Sequence, residues 1–309
     1  MIKKILLSIA SIAAVGGLAF GATQAFFSDT EVSTGNLLQA GAIDLQVDNT
    51  CYYNGNACVE VEPGVSFWDG DPRKGSCACN WELVDLDTEK FFSFQDLKPG
   101  DWEEDTISLH VNNNDSWLCA DVKLTSDDNN SQTEPEVEDG DETPGPIGEG
   151  ELADAVDFIW WADDGDNVLE TCRLLQDEEE LADCLEKGGE ETPLPSGPMG
   201  VLEVGQTATV ALADSNQNIW GSGPFLGGDT RYIGKGFCFG DITFAPVVQD
   251  GDGATGDNGP DERGAGFECN GLLEDNQTQT DSFTADIGFR AVQSRNNEGF
   301  KCSDSSTTP

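Results

Sequence analysis

Apolar residues alternate with polar ones along several stretches of this chain, and each such stretch predicts a half-buried β-strand. Ile43, Leu45 and Val47 alternate with Asp44, Gln46 and Asp48. Ile107, Leu109 and Val111 form a second run, and Leu118, Ala120, Val122 and Leu124 a third. These two runs are joined by an asparagine turn and read as a hairpin. Further strands are expected over 81–86, 157–161, 208–212 and 240–244, and the most regular alternation runs over 283–291. Lys98-Pro99-Gly100-Asp101 suits a type II turn, because glycine accepts positive φ at the third position. Helical periodicity is confined to 172–187, where Leu174, Leu175, Leu181, Cys184 and Leu185 share one face and Gly188-Gly189 ends the run.

Between the strands lie polar insertions. Residues 126–150 are Asp, Glu, Asn, Pro and Gly with almost no apolar side chain, and 250–266 is a second acidic, glycine-rich stretch. The first cannot bury enough surface to offset its ordering entropy and is expected as an exposed loop. The fold class predicted is all-β: a single elaborated antiparallel β-sandwich over 26–309, with these acidic loops and one short helical insertion over 172–189.

The N-terminus differs from everything after it. Lys3 and Lys4 precede an apolar run over 5–20, and Gly21-Ala22-Thr23-Gln24-Ala25 supplies small residues at its exit. This is the form of a secretory signal peptide over 1–25, with cleavage expected between Ala25 and Phe26. Ala22-Thr23-Gln24-Ala25 is followed by Phe26-Phe27-Ser28-Asp29-Thr30-Glu31, then Thr34-Gly35-Asn36 and Ala40-Gly41-Ala42-Ile43-Asp44-Leu45. In that order and spacing the sequence resembles the TasA, CalY and camelysin group of surface and biofilm-matrix proteins, processed by SipW-type signal peptidases. Leu97-Lys98-Pro99-Gly100-Asp101, a following alternating strand and Asn112-Asn113-Asn114 extend the resemblance to about residue 125. The resemblance implies a jelly roll, a fibre subunit and a signal peptidase as processing partner. Residues 26–36, from Phe26 and Phe27 through Ser28, Asp29, Thr30 and Glu31, then become an N-terminal arm that adds as a strand to the next subunit, with folding back onto its own sandwich as the competing reading.

Charge and cysteines narrow the setting. The chain of 309 residues carries a formal net charge of −44, and loss of Lys3 and Lys4 with the leader makes this −46. Such a surface repels nucleic acid and anionic membranes and favours divalent cations or high salt. The ten cysteines, Cys51, Cys58, Cys77, Cys79, Cys119, Cys172, Cys184, Cys238, Cys269 and Cys302, all follow the leader. An even count behind a secretory signal implies disulfides rather than zinc. Cys172–Cys184 and Cys51–Cys58 are the local pairs expected, with Cys77 and Cys79 competing for the second.

Candidate chemistry is sparse, and no catalytic residue is assigned. One histidine, His110, sits in an alternating strand as an ordinary strand residue, so no His-Glu-x-x-His zinc site exists. Gly234-Lys235-Gly236 lacks the glycine a phosphate-binding loop needs at Asp229. Asp163, Asp164, Asp166 and Asn167 set hard oxygen ligands around Gly165, as calcium loops do, although the frame departs from an EF-hand. A plain hairpin turn is the competing reading. Trp160-Trp161 with Trp220 could stack on sugars, but adjacent strand residues face opposite ways, which places at least one in a core. Two functions follow: a secreted subunit of head-to-tail filaments, with an anchor or accessory subunit as a further partner, or a calcium-stabilised monomeric lectin or adhesin. A camelysin-like secreted peptidase stands behind both.

Overall fold

The computed structural model describes residues 28–32, 43–141, 150–187, 190–194, 196–255 and 259–305. The expected leader, its cleavage point at Ala25 and Phe26, and Phe27 lie outside them.

Two antiparallel sheets face each other. The smaller has the order β1-β16-β7-β11, formed by β1 (Ser28–Val32), β7 (Ser116–Asp128), β11 (Thr207–Ala213) and β16 (Ser282–Gln293). The larger runs β10-β8-β12-β6-β2-β3-β4, with β5 also paired to β2. Its strands are β2 (Leu45–Tyr53), β3 (Asn56–Glu62), β4 (Val65–Trp68), β5 (Trp81–Val84), β6 (Trp102–Val111), β8 (Val156–Asp163), β10 (Gly197–Pro198) and β12 (Thr230–Phe239). Alternation along the strands is what builds the space between the sheets: Leu45, Val47, Ile107, Leu109 and Phe237 from the larger sheet meet Leu118, Ala120, Ile287 and Phe289 from the smaller. This confirms the all-β antiparallel sandwich.

The larger sheet also has a covered outer face. Ile159 and Trp161 pack there with Leu169, Ala265 and Phe267 in a second apolar cluster. Short pairs dress this layer: β13 (Asp241–Phe244) with β15 (Phe267–Asn270), and β9 (Glu170–Thr171) in parallel with β14 (Val247–Val248). Buried on both faces, β6 shields even Glu103, Glu104 and Asp105 completely. On β12 a Cβ added to Gly234 would sit 1.9 Å from the Trp161 ring, so glycine there lets the indole lie on the strand.

Several expectations are corrected. Runs 107–111 and 118–124 are not a hairpin. β6 pairs with β2 and β12, β7 pairs with β16 and β11, and the two stack across the core through their apolar faces. The 126–150 stretch is not simply an exposed loop: β7 reaches Asp128 and a helix covers Glu134–Asp139, with Glu136 accepting the Thr133 N–H and Gly140 closing it at φ 101°. Residues 142–149 lie outside the described set. The helix expected over 172–187 spans Glu178–Lys187 instead, and Gly188-Gly189 lie outside the described residues. The turn at Lys98 forms as expected, with Gly100 at φ 92° and Asp101 N–H donating to Lys98 O at 2.8 Å.

All ten cysteines are paired. Cys172–Cys184 is present, but Cys51 bonds Cys79 and Cys58 bonds Cys77, because β2 and β3 run side by side and place the two cysteines against the 77–79 strap. Cys119–Cys302 ties the C-terminal segment to β7, and Cys238–Cys269 ties β12 to β15.

Candidate cation centres

Where β8 ends, the chain turns through Asp163 to Glu170 on the outer face of the larger sheet. Asp163 is buried, because the sheet lies beneath it and Trp161 beside it: its Oδ2 accepts from Thr106 Oγ1 at 2.7 Å and Gly165 N at 3.0 Å, and its Oδ1 from Trp161 Nε1 at 3.0 Å. Asn167 takes positive φ, and its Oδ1 accepts the Thr106 N–H at 2.7 Å, pinning the loop to β6. Asp164 accepts from Gln249 Nε2 through Oδ2 at 3.1 Å, while its Oδ1 has no hydrogen-bond partner. Asp166 accepts from Val168 N at 2.9 Å and from Arg263 Nη1 at 2.9 Å.

Two acidic residues that sequence reasoning missed complete the group. Glu191 reaches back across the loop and accepts from Asp164 N at 3.0 Å and Glu170 N at 2.8 Å. Glu170 is fully buried and, among the described residues, ion-paired with Arg263, which also meets Asp166 and Asp250. One oxygen from each of Asp163, Asp164 and Glu191 falls within 4.8 Å of the others, and the same holds for Asp164, Asp166 and Glu170. Two oxygens bound to one calcium ion sit at most about 5 Å apart, so both sets have the spacing of a shared cation. Asp164 belongs to both.

The electrostatics are those of carboxylates lacking enough positive charge. Burial pushes Asp163 up to about 7 and Asp166 up to about 9, with neighbouring carboxylates adding to the latter. Burial also takes Glu170 up to about 7 despite Arg263, and raises Glu191 well above the ordinary range. Beneath them on β6, Glu104 is completely buried with neither carboxylate oxygen hydrogen-bonded, and its charged neighbours begin with Asp163.

A further cluster of buried polar groups lies around the far end of β7, outside the sets whose oxygens have the spacing of a shared cation. Asp127 Oδ1, Asn129 Oδ1 and Asp141 Oδ2 are buried oxygens without a hydrogen-bond partner, and the Glu151 and Asp281 carboxyl groups hydrogen-bond each other. Asn129 Nδ2 donates to Asp141 at 3.1 Å, and Glu151 N–H donates to Asp281 at 2.9 Å. Burial raises Glu151 to about 7, with Asp281 adding to it, and raises Asp127 to about 6. The legible signal was Asp127-x-Asn129, which puts two oxygens on one side of a strand end.

Other expected sites fare differently. Trp160 lies in the sandwich core, Trp161 in the outer cluster, and Trp220 packs on Phe225 while donating to Tyr232 O at 2.8 Å. The expectation that at least one of the adjacent tryptophans is core holds: Trp160 and Trp161 are buried on opposite faces of β8 and share no sugar platform with Trp220. His110 lies between Asp48 at 3.0 Å and Thr230 at 2.9 Å, as a strand residue. Ser28, Asp29, Thr30 and Glu31 belong to β1, which pairs with β16 of its own chain from Ser28 opposite Val292 to Val32 opposite Gly288.

The fold and these centres define a disulfide-tied, acidic all-β protein. Residues 1–66 match the family model described as camelysin metallo-endopeptidase, in agreement with the resemblance of the N-terminal motif. The matched segment ends within β4, before any residue of either acidic centre. No curated protein and no solved structure matches the chain.

Proposed function

We propose that the chain is a secreted structural subunit of extracellular surface or matrix fibres, released by signal peptidase between Ala25 and Phe26. The observation that carries this reading is the position of β1. It is the outermost strand of the smaller sheet and holds to a single neighbour, β16, while its sequence belongs to the matched N-terminal segment. An edge strand near a terminus is the element a neighbouring copy can replace without disturbing the core. Among the described residues, Ser282 to Ile287 of β16 carry no strand on that edge. Beside it opens a cleft of about 660 Å³, lined by Phe92, Phe94, Phe158, Phe237, Phe239 and Phe283. Phe26 and Phe27 of an arriving arm match that lining in chemistry. Exchange of this kind is head-to-tail and extends into a filament when its rotation does not close.

Calcium is the cofactor this reading adds, with Asp163, Asp164, Asp166, Glu170 and Glu191 as the residues that would hold it. An anchor or accessory subunit is the further partner the reading accommodates. The metallo-endopeptidase in the family's description supports no step here: a His-Glu-x-x-His zinc site needs two histidines, and the sequence has one.

The test is negative-stain microscopy of the mature protein beside two variants, one beginning at Leu37 and one carrying Phe26→Asp with Phe27→Asp. Filaments from the mature protein, lost in both folded variants, are expected. Monomers under all conditions would overturn the fibre reading and favour the calcium-stabilised surface module. Filaments from the truncated chain would remove the arm as the link.

A further inference from the structure

At the centre of the larger sheet Lys235 is completely buried, and so are the two carboxylates it meets. It stands directly opposite Asp105 in the β12–β6 register, with its side chain on the core side of the sheet. Its Nζ lies 2.9 Å from Glu103 Oε2 and in contact with Asp105 Oδ2. The rings of Phe92 and Phe237 flank it at 5.4 and 5.9 Å. Asn49 Nδ2 donates to Asp105 Oδ1 at 3.0 Å while also holding Cys79 O at 2.6 Å. The other oxygen of Glu103 has no hydrogen-bond partner.

A buried ion pair is a weak source of stability, because desolvation offsets most of its attraction. Here the imbalance is larger: two carboxylates share one ammonium between aromatic rings. Burial raises Glu103 well above the ordinary carboxylate range, with Asp105 adding to it and Lys235 opposing, which favours its acid form. Burial pulls the Lys235 ammonium down while Asp105 and Glu103 hold it up, to about 12. Its amine becomes free only when the proton passes to Asp105. That transfer converts a buried ion pair into a neutral amine beside a neutral carboxylic acid, the two reactants of amide formation, already oriented by the strand register.

We propose that Lys235 and Asp105 condense into an intramolecular amide cross-link, with Glu103 as the proton carrier and Asn49 as the positioning residue. The Nζ lone pair forms the new bond to Asp105 Cγ. Charge develops on Oδ1, where the Asn49 amide N–H already points. Glu103 gives its proton to Oδ2 and takes one from Nζ, the Cγ–Oδ2 bond breaks, and Oδ2 leaves as water. An ammonium and a carboxylate become one neutral amide and one water, and no oxidant or activating group is required. The product removes a charge pair from the core and joins β6 covalently to β12, both central in the larger sheet. Such a bond suits an extracellular protein exposed to shear or proteases, whether or not it forms fibres.

The experiment is the intact mass of the folded mature protein after complete reduction and unfolding. The expected mass is one water below that of the sequence, in all molecules, with fragmentation locating a branched peptide that joins the Lys235 and Asp105 segments. The Glu103→Gln variant, close in shape, should fold with the same disulfides yet keep the unreacted mass. Asp105→Asn, if it reacts, should lose ammonia instead of water. Full sequence mass in the folded wild-type protein overturns the proposal, whatever the variants do. A branch at any other residue overturns it too.

Discussion

At the scale of the residue, the outer-layer carboxylates should make stability depend on pH, and on cations if they hold one. Asp163 and Glu170 stand near 7 and Asp166 near 9 in the fold, above the ordinary carboxylate range. A carboxyl raised on folding binds its proton more tightly in the native state. Its contribution is therefore complete below the unfolded pKa of about 4 and is lost as pH rises through the folded value. Chelator-treated protein should melt at steadily lower temperature from about pH 5 to pH 9, and saturating calcium should flatten that slope, because the ion takes the place of the protons. A chelated protein whose melting temperature rises across this range would contradict the assignment. Asp164→Asn, at the residue common to both sets, should weaken calcium binding about tenfold or more, equivalent to roughly 1.4 kcal/mol per tenfold. The same variant should stabilise the chelated protein by removing a like charge. Calorimetric titration and thermal melts read the two effects separately. Gly234→Ala tests packing instead: with the Trp161 ring 1.9 Å from the added carbon, a loss of about 1–3 kcal/mol is expected in the denaturant midpoint.

At the scale of the element, most strands were legible from apolar alternation, and β12 was not. β2, β7 and β16 alternate because one side meets the core, and the period of two shows in the sequence. β12 escaped notice: Gly234 and Gly236 face the outer layer where apolar residues would otherwise mark a strand, and Lys235 faces the core. The Gly-Lys-Gly run was weighed for phosphate binding, whereas its glycines make room for Trp161 and Phe267. The acidic turn at 163–167 was legible as a cluster of carboxylates, but Glu170 and Glu191 were not, since their approach depends on how β9 and the 190–194 segment return to it. Cysteine pairing divided the same way. Cys172–Cys184 closes locally, while Cys51 and Cys58 depend on the β2–β3 register. Removing Cys172–Cys184, with a separation of 12 residues, should cost about 3 kcal/mol and expose the helix at Glu178–Lys187 to protease before the sandwich. Removing Cys119–Cys302, with a separation of 183, should cost about 5 kcal/mol in the same model and lower the melting temperature of the whole protein. Equal, purely local effects of the two would show that Cys302 anchors only the C-terminal end.

At the scale of the whole molecule, a net charge of −44 repels itself across the entire surface, and any salt relieves part of that repulsion. The buried centres make a different demand. General screening weakens interactions between exposed charges, but it reaches little into groups that water cannot. Asp163, Glu170 and Glu191 on the outer layer, and Asp127 and Asp141 at the end of β7, are all buried. Sodium should therefore raise the melting temperature gradually, in step with ionic strength. Calcium should add a saturable increment at low stoichiometry, reaching about 2.7 kcal/mol when the free ion stands at 100 times its dissociation constant for one site. Asp164→Asn should reduce that increment, whereas Asp127→Asn, outside the cation-spaced sets, should leave it unchanged. The comparison is made at matched ionic strength, with chelator present in the sodium series. If sodium and calcium stabilise equally there, the outer-layer carboxylates hold no ion and the effect of both salts is general screening.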